Sequence, residues 1–166
     1  GEWDYAWMLD DVSFSETPDN AISFGSETFG GWWIGYQATD DFGTDYTFYP
    51  MSQAQANPYR FEGVIANIGV QIQNNVTMHV LVDDNVNSPV SFTSAPLTFV
   101  ASERDTVATT TNFTPTEMGY HQISFWASSD SIPTTDTSGR GTIVTDTVYG
   151  VDFDWNTDGA NAGGGY

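Results

Sequence analysis

The chain has 166 residues and no cysteine, so it can bury a core of its own, while disulfide frameworks, Cys-ligated zinc, iron–sulfur clusters and thiol nucleophiles are excluded. Three cationic side chains, all Arg, face 22 Asp and Glu, a formal charge of −19; such a field excludes nucleic-acid or acidic-lipid binding through a basic patch and makes calcium or another hard cation the natural counter-ion. Aromatic residues reach 15%, too many for a disordered acidic chain, and no stretch approaches the roughly 20 apolar residues of a membrane span.

The start Gly1-Glu2-Trp3-Asp4 is neither a signal peptide nor an initiator methionine and reads as the beginning of a processed or excised segment. Trp3 to Glu16 has the pattern of one long strand, with Trp3, Tyr5, Trp7, Leu9, Val12 and Phe14 as its apolar positions. Thr17-Pro18-Asp19-Asn20 breaks it. Ala21 to Gln55 is a Gly- and aromatic-rich segment containing Gly30-Gly31-Trp32-Trp33. Beyond it the alternation is regular. Val76, Met78, Val80 and Val82 alternate with Thr77, His79 and Leu81, and Tyr120, Gln122, Ser124 and Trp126 alternate with His121, Ile123, Phe125 and Ala127, the period of two expected of strands. Ile143 to Val151 reads as a further strand, with Thr147 inside it. Turn signals separate these runs at Asn67-Ile68-Gly69, Asp83-Asp84-Asn85, Ser88-Pro89, Thr114-Pro115 with Met118-Gly119, and Ser138-Gly139-Arg140-Gly141. Asn156 to Tyr166 is almost all small or polar and reads as a loose tail.

Many short β-rich runs between Gly, Pro and Asn turns predict an all-β fold, a sandwich or barrel. A single sheet would leave Ile65, Val80, Ile123 and Phe125 in water, so two sheets are the minimum. The expected organisation is an N-terminal strand in 1–19, a sandwich in 20–155 and a flexible tail in 156–166. The N-terminal strand either completes an adjoining domain or another copy of the chain by strand exchange, or folds back as an edge strand.

The stretch Tyr59 to Gly69 followed by Asn75 to Asp83 resembles the paired strands and N-x-G turn of CARDB-like, immunoglobulin-like modules of bacterial secreted proteins. Phe113-Thr114-Pro115 with Gly119 to Phe125 resembles the later part of the same pattern, and Trp7 to Phe14 is similar to the closing strand of the jelly-roll domains that precede such modules in large Bacteroidetes surface proteins. The resemblance implies an immunoglobulin-like two-sheet sandwich with an extra N-terminal strand, an extracellular or cell-surface setting, and adjoining domains or further copies as partners. The motifs speak for a fold rather than an activity.

Catalytic signatures are weak. No G-x-S-x-G, H-E-x-x-H or Gly-rich phosphate loop occurs, and His79 and His121 read as ordinary half-buried or exposed sheet residues. Asp154-Trp155-Asn156-Thr157-Asp158-Gly159 has the alternate oxygen spacing of a calcium loop, nominating Asp154, Asn156 and Asp158 as ligands. Its twelfth position is Gly165 instead of a bidentate Glu, so an Asx-rich turn is the competing reading. Asp40, Asp41 and Asp45 form a second, weaker cation candidate. Trp32 and Trp33, between glycines, could offer flat faces to sugar rings, against the commoner role of large aromatics in a core or interface.

Asp105-Thr106-Val107, Asp130-Ser131-Ile132 and Asp146-Thr147-Val148 resemble the D-[ST]-aliphatic acceptor of Bacteroidetes O-glycosylation, which nominates Thr106, Ser131 and Thr147. Asn75-Val76-Thr77 and Asn112-Phe113-Thr114 are sequons of the other type and matter only where that pathway exists. The sequence thus predicts a non-catalytic extracellular structural or adhesive module, with a fibre subunit as one form of it and no cofactor other than calcium. The alternative is a carbohydrate-binding module attached to a secreted hydrolase.

Overall fold

A computed structural model describes residues 16–28, 45–148 and 150–152. Among the described residues ten strands and one short helix follow in the order β1 (Ile22–Thr28), β2 (Asp45–Pro50), α1 (Met51–Ala56), β3 (Glu62–Asn67), β4 (Gln73–Asp83), β5 (Val90–Thr93), β6 (Leu97–Phe99), β7 (Arg104–Ala108), β8 (Gly119–Ser128), β9 (Ser138–Thr145) and β10 (Gly150–Asp152). They form a three-stranded sheet, β1-β3-β7, and a larger sheet, β10-β2-β9-β8-β4-β5, with β6 also pairing β4. All pairings are antiparallel except β2 with β9, where Phe48 to Pro50 lie beside Ile143 to Thr145 in parallel.

The alternation in β4 and β8 decides which face turns inward. Val76, Met78, Val80 and Val82 of β4 and Ile123, Phe125 and Ala127 of β8 are buried, and the opposed sheet contributes Ile22, Ile65 and Val107. Aromatic rings bridge the layers: Phe125 packs against Phe24 at 6.5 Å and Phe61 at 5.9 Å, and Phe61 meets Phe92 at 5.3 Å. Each large apolar side chain removed from water in this way contributes about 1.5–3 kcal/mol. The four residues that a single sheet would leave wet, Ile65, Val80, Ile123 and Phe125, are fully covered. The fold is therefore the all-β two-sheet sandwich that the alternation implies.

Three expectations need correction. Segments 59–67 and 75–83 are not a pair: β3 belongs to the small sheet and β4 to the large one, so the N-x-G turn carries the chain between layers. Ser138-Gly139-Arg140-Gly141 is not a turn but the first half of β9, paired with Phe125 to Gln122 of β8. Glycine is used there for room, because a Cβ at Gly141 would stand 2.6 Å from the hydroxyl of Tyr120. Tyr120 donates to Gln122 Oε1 at 2.7 Å, and Gln122 Nε2 donates to the Arg140 carbonyl at 2.9 Å, so two outward side chains lie over the glycine strand. Finally, 143–151 is not one strand. It bends at Asp146 and Thr147, and the chain then returns as β10 beside β2.

The expected N-terminal strand at Trp3 to Phe14 and the tail 156–166 lie outside the described residues. Among the described residues no helix is long and apolar enough to cross a membrane.

Candidate functional site

One end of the sandwich joins distant segments through two buried polar side chains, Asn67 and Gln73. Asn67 closes β3, and its Oδ1 accepts from the Gly69 amide at 3.0 Å while its Nδ2 donates to the carbonyls of Gln71 (2.8 Å) and Phe99 (3.2 Å). This is an Asx turn extended across two loops. Gln73, fully buried at the start of β4, donates to Asn20 Oδ1 at 2.9 Å and accepts from Ser129 Oγ at 3.0 Å. The segment that leads into β1 is held against the same loop by its backbone. Pro18 O accepts from the Val70 amide, Asp19 O from Gln71, and Ala21 O from both Ile68 and Gly69. A Cβ at Gly69 would stand 2.7 Å from Ala21 N and 2.8 Å from Asp19 O, so this close approach requires glycine.

The opposite end is built from Asp83 and Asp84. Asp83 Oδ1 accepts from the Asn85 amide at 2.8 Å; Asp84 accepts from the amides of Val86 and Asn87 and from Asn87 Nδ2, at 2.7 to 2.9 Å. These bonds favour the ionised form, and the side-chain bond from Asn87 does most to bring the Asp84 carboxyl down to about 2.

Titratable groups in the body of the sandwich do structural work. His79 stays half-buried on the outer face of the large sheet, stacked on Trp126 at 5.4 Å with Nε2 2.8 Å from Ser128 Oγ, and burial lowers its pKa. His121 is not half-buried, as the sequence implies, but completely enclosed. Its Nδ1 lies 3.0 Å from the Gly119 carbonyl, its ring tilts against Phe113, and Nε2 has no hydrogen-bond partner. Tyr59 and Thr142 share a buried hydrogen bond of 3.2 Å, and burial raises the Tyr59 phenol. Glu62 holds Arg60 at 2.7 Å through Oε1 while Oε2 is buried without a partner, and desolvation raises its carboxyl against the pull of Arg60. The sequence offered no signal for Gln73, Glu62 or the Tyr59–Thr142 pair, since each depends on strands distant in the chain.

Among the described residues no group of three or more His, Asp and Glu is placed to share a metal ion. Asp154, Asn156 and Asp158, Trp32 and Trp33, and Asp40 and Asp41 all lie outside the described residues; Asp45 begins β2. The three acceptor-like hydroxyl residues are within them and all are exposed. Thr106 lies on β7, which among the described strands pairs with β3; Ser131 is in the loop after β8; Thr147 sits in the turn after β9. The structure does not bring the three together. The Asp of the second string is engaged, its two oxygens each 3.0 Å from Asn75 Nδ2.

The class these features define is an all-β two-sheet sandwich whose loops are stiffened by their own polar side chains. In backbone it is similar to the CARDB domain of a Pyrococcus furiosus protein, solved in complex with di-metal ions, at 10% identity over 82% of this chain and 98% of that one, with a TM-score of 0.46. It is also similar to a part of the β-glucosidase of Listeria innocua solved with glucose (16% identity, 78% of this chain, TM-score 0.45) and of a β-glucosidase of Erythrobacter marinus (12%, 76%, TM-score 0.47). The chain spans 16% of the length of either enzyme. At TM-scores below 0.5 these likenesses assign no ligand or activity, and the fold class rests on the two sheets themselves. No family profile matches the chain, and no curated protein matches it.

Proposed function

We propose that this chain is a non-catalytic, extracellular structural or adhesive module of a larger bacterial surface or secreted protein, carrying O-linked glycans at Thr106, Ser131 and Thr147. The observation that supports it best is where the polar side chains go. Asn67, Gln73, Asp83, Asp84 and Asp130, the residue types from which a catalytic or metal site would be assembled, are hydrogen-bonded into turns and loop junctions that stiffen both ends of the sandwich. A rigid unit with an acidic surface suits a spacer that must stay soluble beside many neighbours. The exposure of all three acceptor-like hydroxyl residues supports the modification.

Surface proteolysis of intact source cells, followed by glycopeptide mapping, tests both parts. The expected result is release of peptides from this chain with glycan mass on Thr106, Ser131 and Thr147. Recovery only from the cytosolic fraction would overturn the setting, and bare peptides from surface material would overturn the modification.

A further inference from the structure

The end of the sandwich organised by Asn67 carries an apolar tip. Ile68, Val70 and Ile72 on the β3–β4 loop and Val100 after β6 are 53, 51, 55 and 54% exposed. The two loops are tied to each other, since Asn67 accepts from the Ser102 amide and donates to the Glu103 carbonyl through the main chain, and to Phe99 O through Nδ2. Gln73 and Phe99 are opposed at the end of the antiparallel ladder and both face inward, and Ile72 and Val100, the next residue beyond each, are both exposed. Two exposed aliphatic side chains just beyond the ladder end, with two more on the β3–β4 loop, are costly to leave in water.

The chain arrives at this same place. Pro18, Asp19 and Ala21 hydrogen-bond to residues 68–71, so whatever precedes Glu16 leaves from beside the tip. What precedes it is the aromatic run of Trp3, Tyr5, Trp7, Leu9, Val12 and Phe14, and an extended chain of that length, at roughly 3.3 Å per residue, reaches well past a loop tip. The stretch from Ile68 to Met78 contains no charged residue in a chain with 22 acids, and a carboxylate at the tip, that of Glu103, accepts from the Val100 amide at 2.7 Å.

We infer that the apolar tip formed by Ile68, Val70, Ile72 and Val100 is the seat of this chain's own aromatic segment, Trp3 to Phe14. Tethering through residues 16–21 makes the contact intramolecular, so its effective concentration exceeds that of a second copy at ordinary protein concentrations. The inference is independent of the proposed extracellular role.

Chymotrypsin, which cuts after aromatic residues, reads the segment directly in the full-length chain. The double substitution Ile72→Asp with Val100→Asp should speed cleavage between Trp3 and Phe14 by about tenfold or more, because cleavage follows the population of the released segment. Val86→Asp at the opposite end should leave the rate unchanged, and the wild-type rate should not vary with protein concentration. If the Asp pair lowers the melting temperature of the sandwich, Leu9→Asp with Val12→Asp, which alters only the segment, should give the same acceleration. Equal cleavage of wild type and both double variants would overturn the inference. So would protection that disappears on dilution, which would assign the tip to a second copy.

Discussion

The two ends of the sandwich are both closed by Asn and Asp side chains, yet they are built differently. At the Asn67 end the polar groups are buried and reach between segments far apart in the chain: Asn67 to Phe99, Gln73 to Asn20 and Ser129. At the Asp84 end the bonds stay within three residues and the carboxylates face water. A local turn of the second kind shapes one loop. The first kind fixes how β1, β4, β6 and the β8–β9 loop stand relative to each other, and a buried polar group there has no water to fall back on. The difference teaches that similar residue types close a loop cheaply at one end and hold the fold together at the other.

The sharpest way to break the comparison is to truncate one residue at each end. Asn67→Ala should destabilise the domain by about 2–3 kcal/mol, since it orphans buried backbone groups, and Asp84→Ala should cost clearly less. Urea unfolding of the two variants measures both, and equal losses would erase the distinction. Next in size is Gly69→Ala. The new Cβ would collide with backbone at Ala21 and Asp19, so about 1–3 kcal/mol should be lost, with faster amide exchange at Ile68 to Gln71 as the bonds to Pro18, Asp19 and Ala21 open.

Acid titration sharpens the other end. The Asp84 carboxyl titrates near 2 in the folded chain, below its ordinary 3.8. Its stabilising effect is therefore complete above about pH 4 and is lost as pH falls from there toward 2. The stability difference between wild type and Asp84→Asn should shrink over that interval in melts taken at successive pH values; a constant difference would contradict it. The smallest effect belongs to His79, between the two ends. Burial holds its pKa below 6.5, so the unfolded chain binds the proton first, and stability should begin to fall as pH drops below 6.5. His79→Gln should flatten that part of the profile without altering it above pH 7.

Much of this was legible in the sequence where a single segment carries the information. The alternation of Val76 to Val82 and of Ile123 to Ala127 identified the inward apolar positions, and Asn67-Ile68-Gly69 announced its turn, because which face a strand buries and which residue tolerates a tight turn are local properties. The glycines of 138–141 misled for the same reason. Their conformational freedom suggests a turn, while the side chains of Tyr120 and Gln122 that lie over them come from seventeen or more residues away.

By itself the sequence determined an acidic, cysteine-free, all-β chain that needs two sheets to cover its apolar positions. Only the tertiary structure decided that β3 and β4 part company at Asn67, that β2 runs parallel to β9, that His121 is enclosed, and that Gln73 joins Asn20 to Ser129. Alternation states that a face must be buried, but the partner that buries it is chosen by pairing across the whole chain, where many registers satisfy the same pattern and packing selects one.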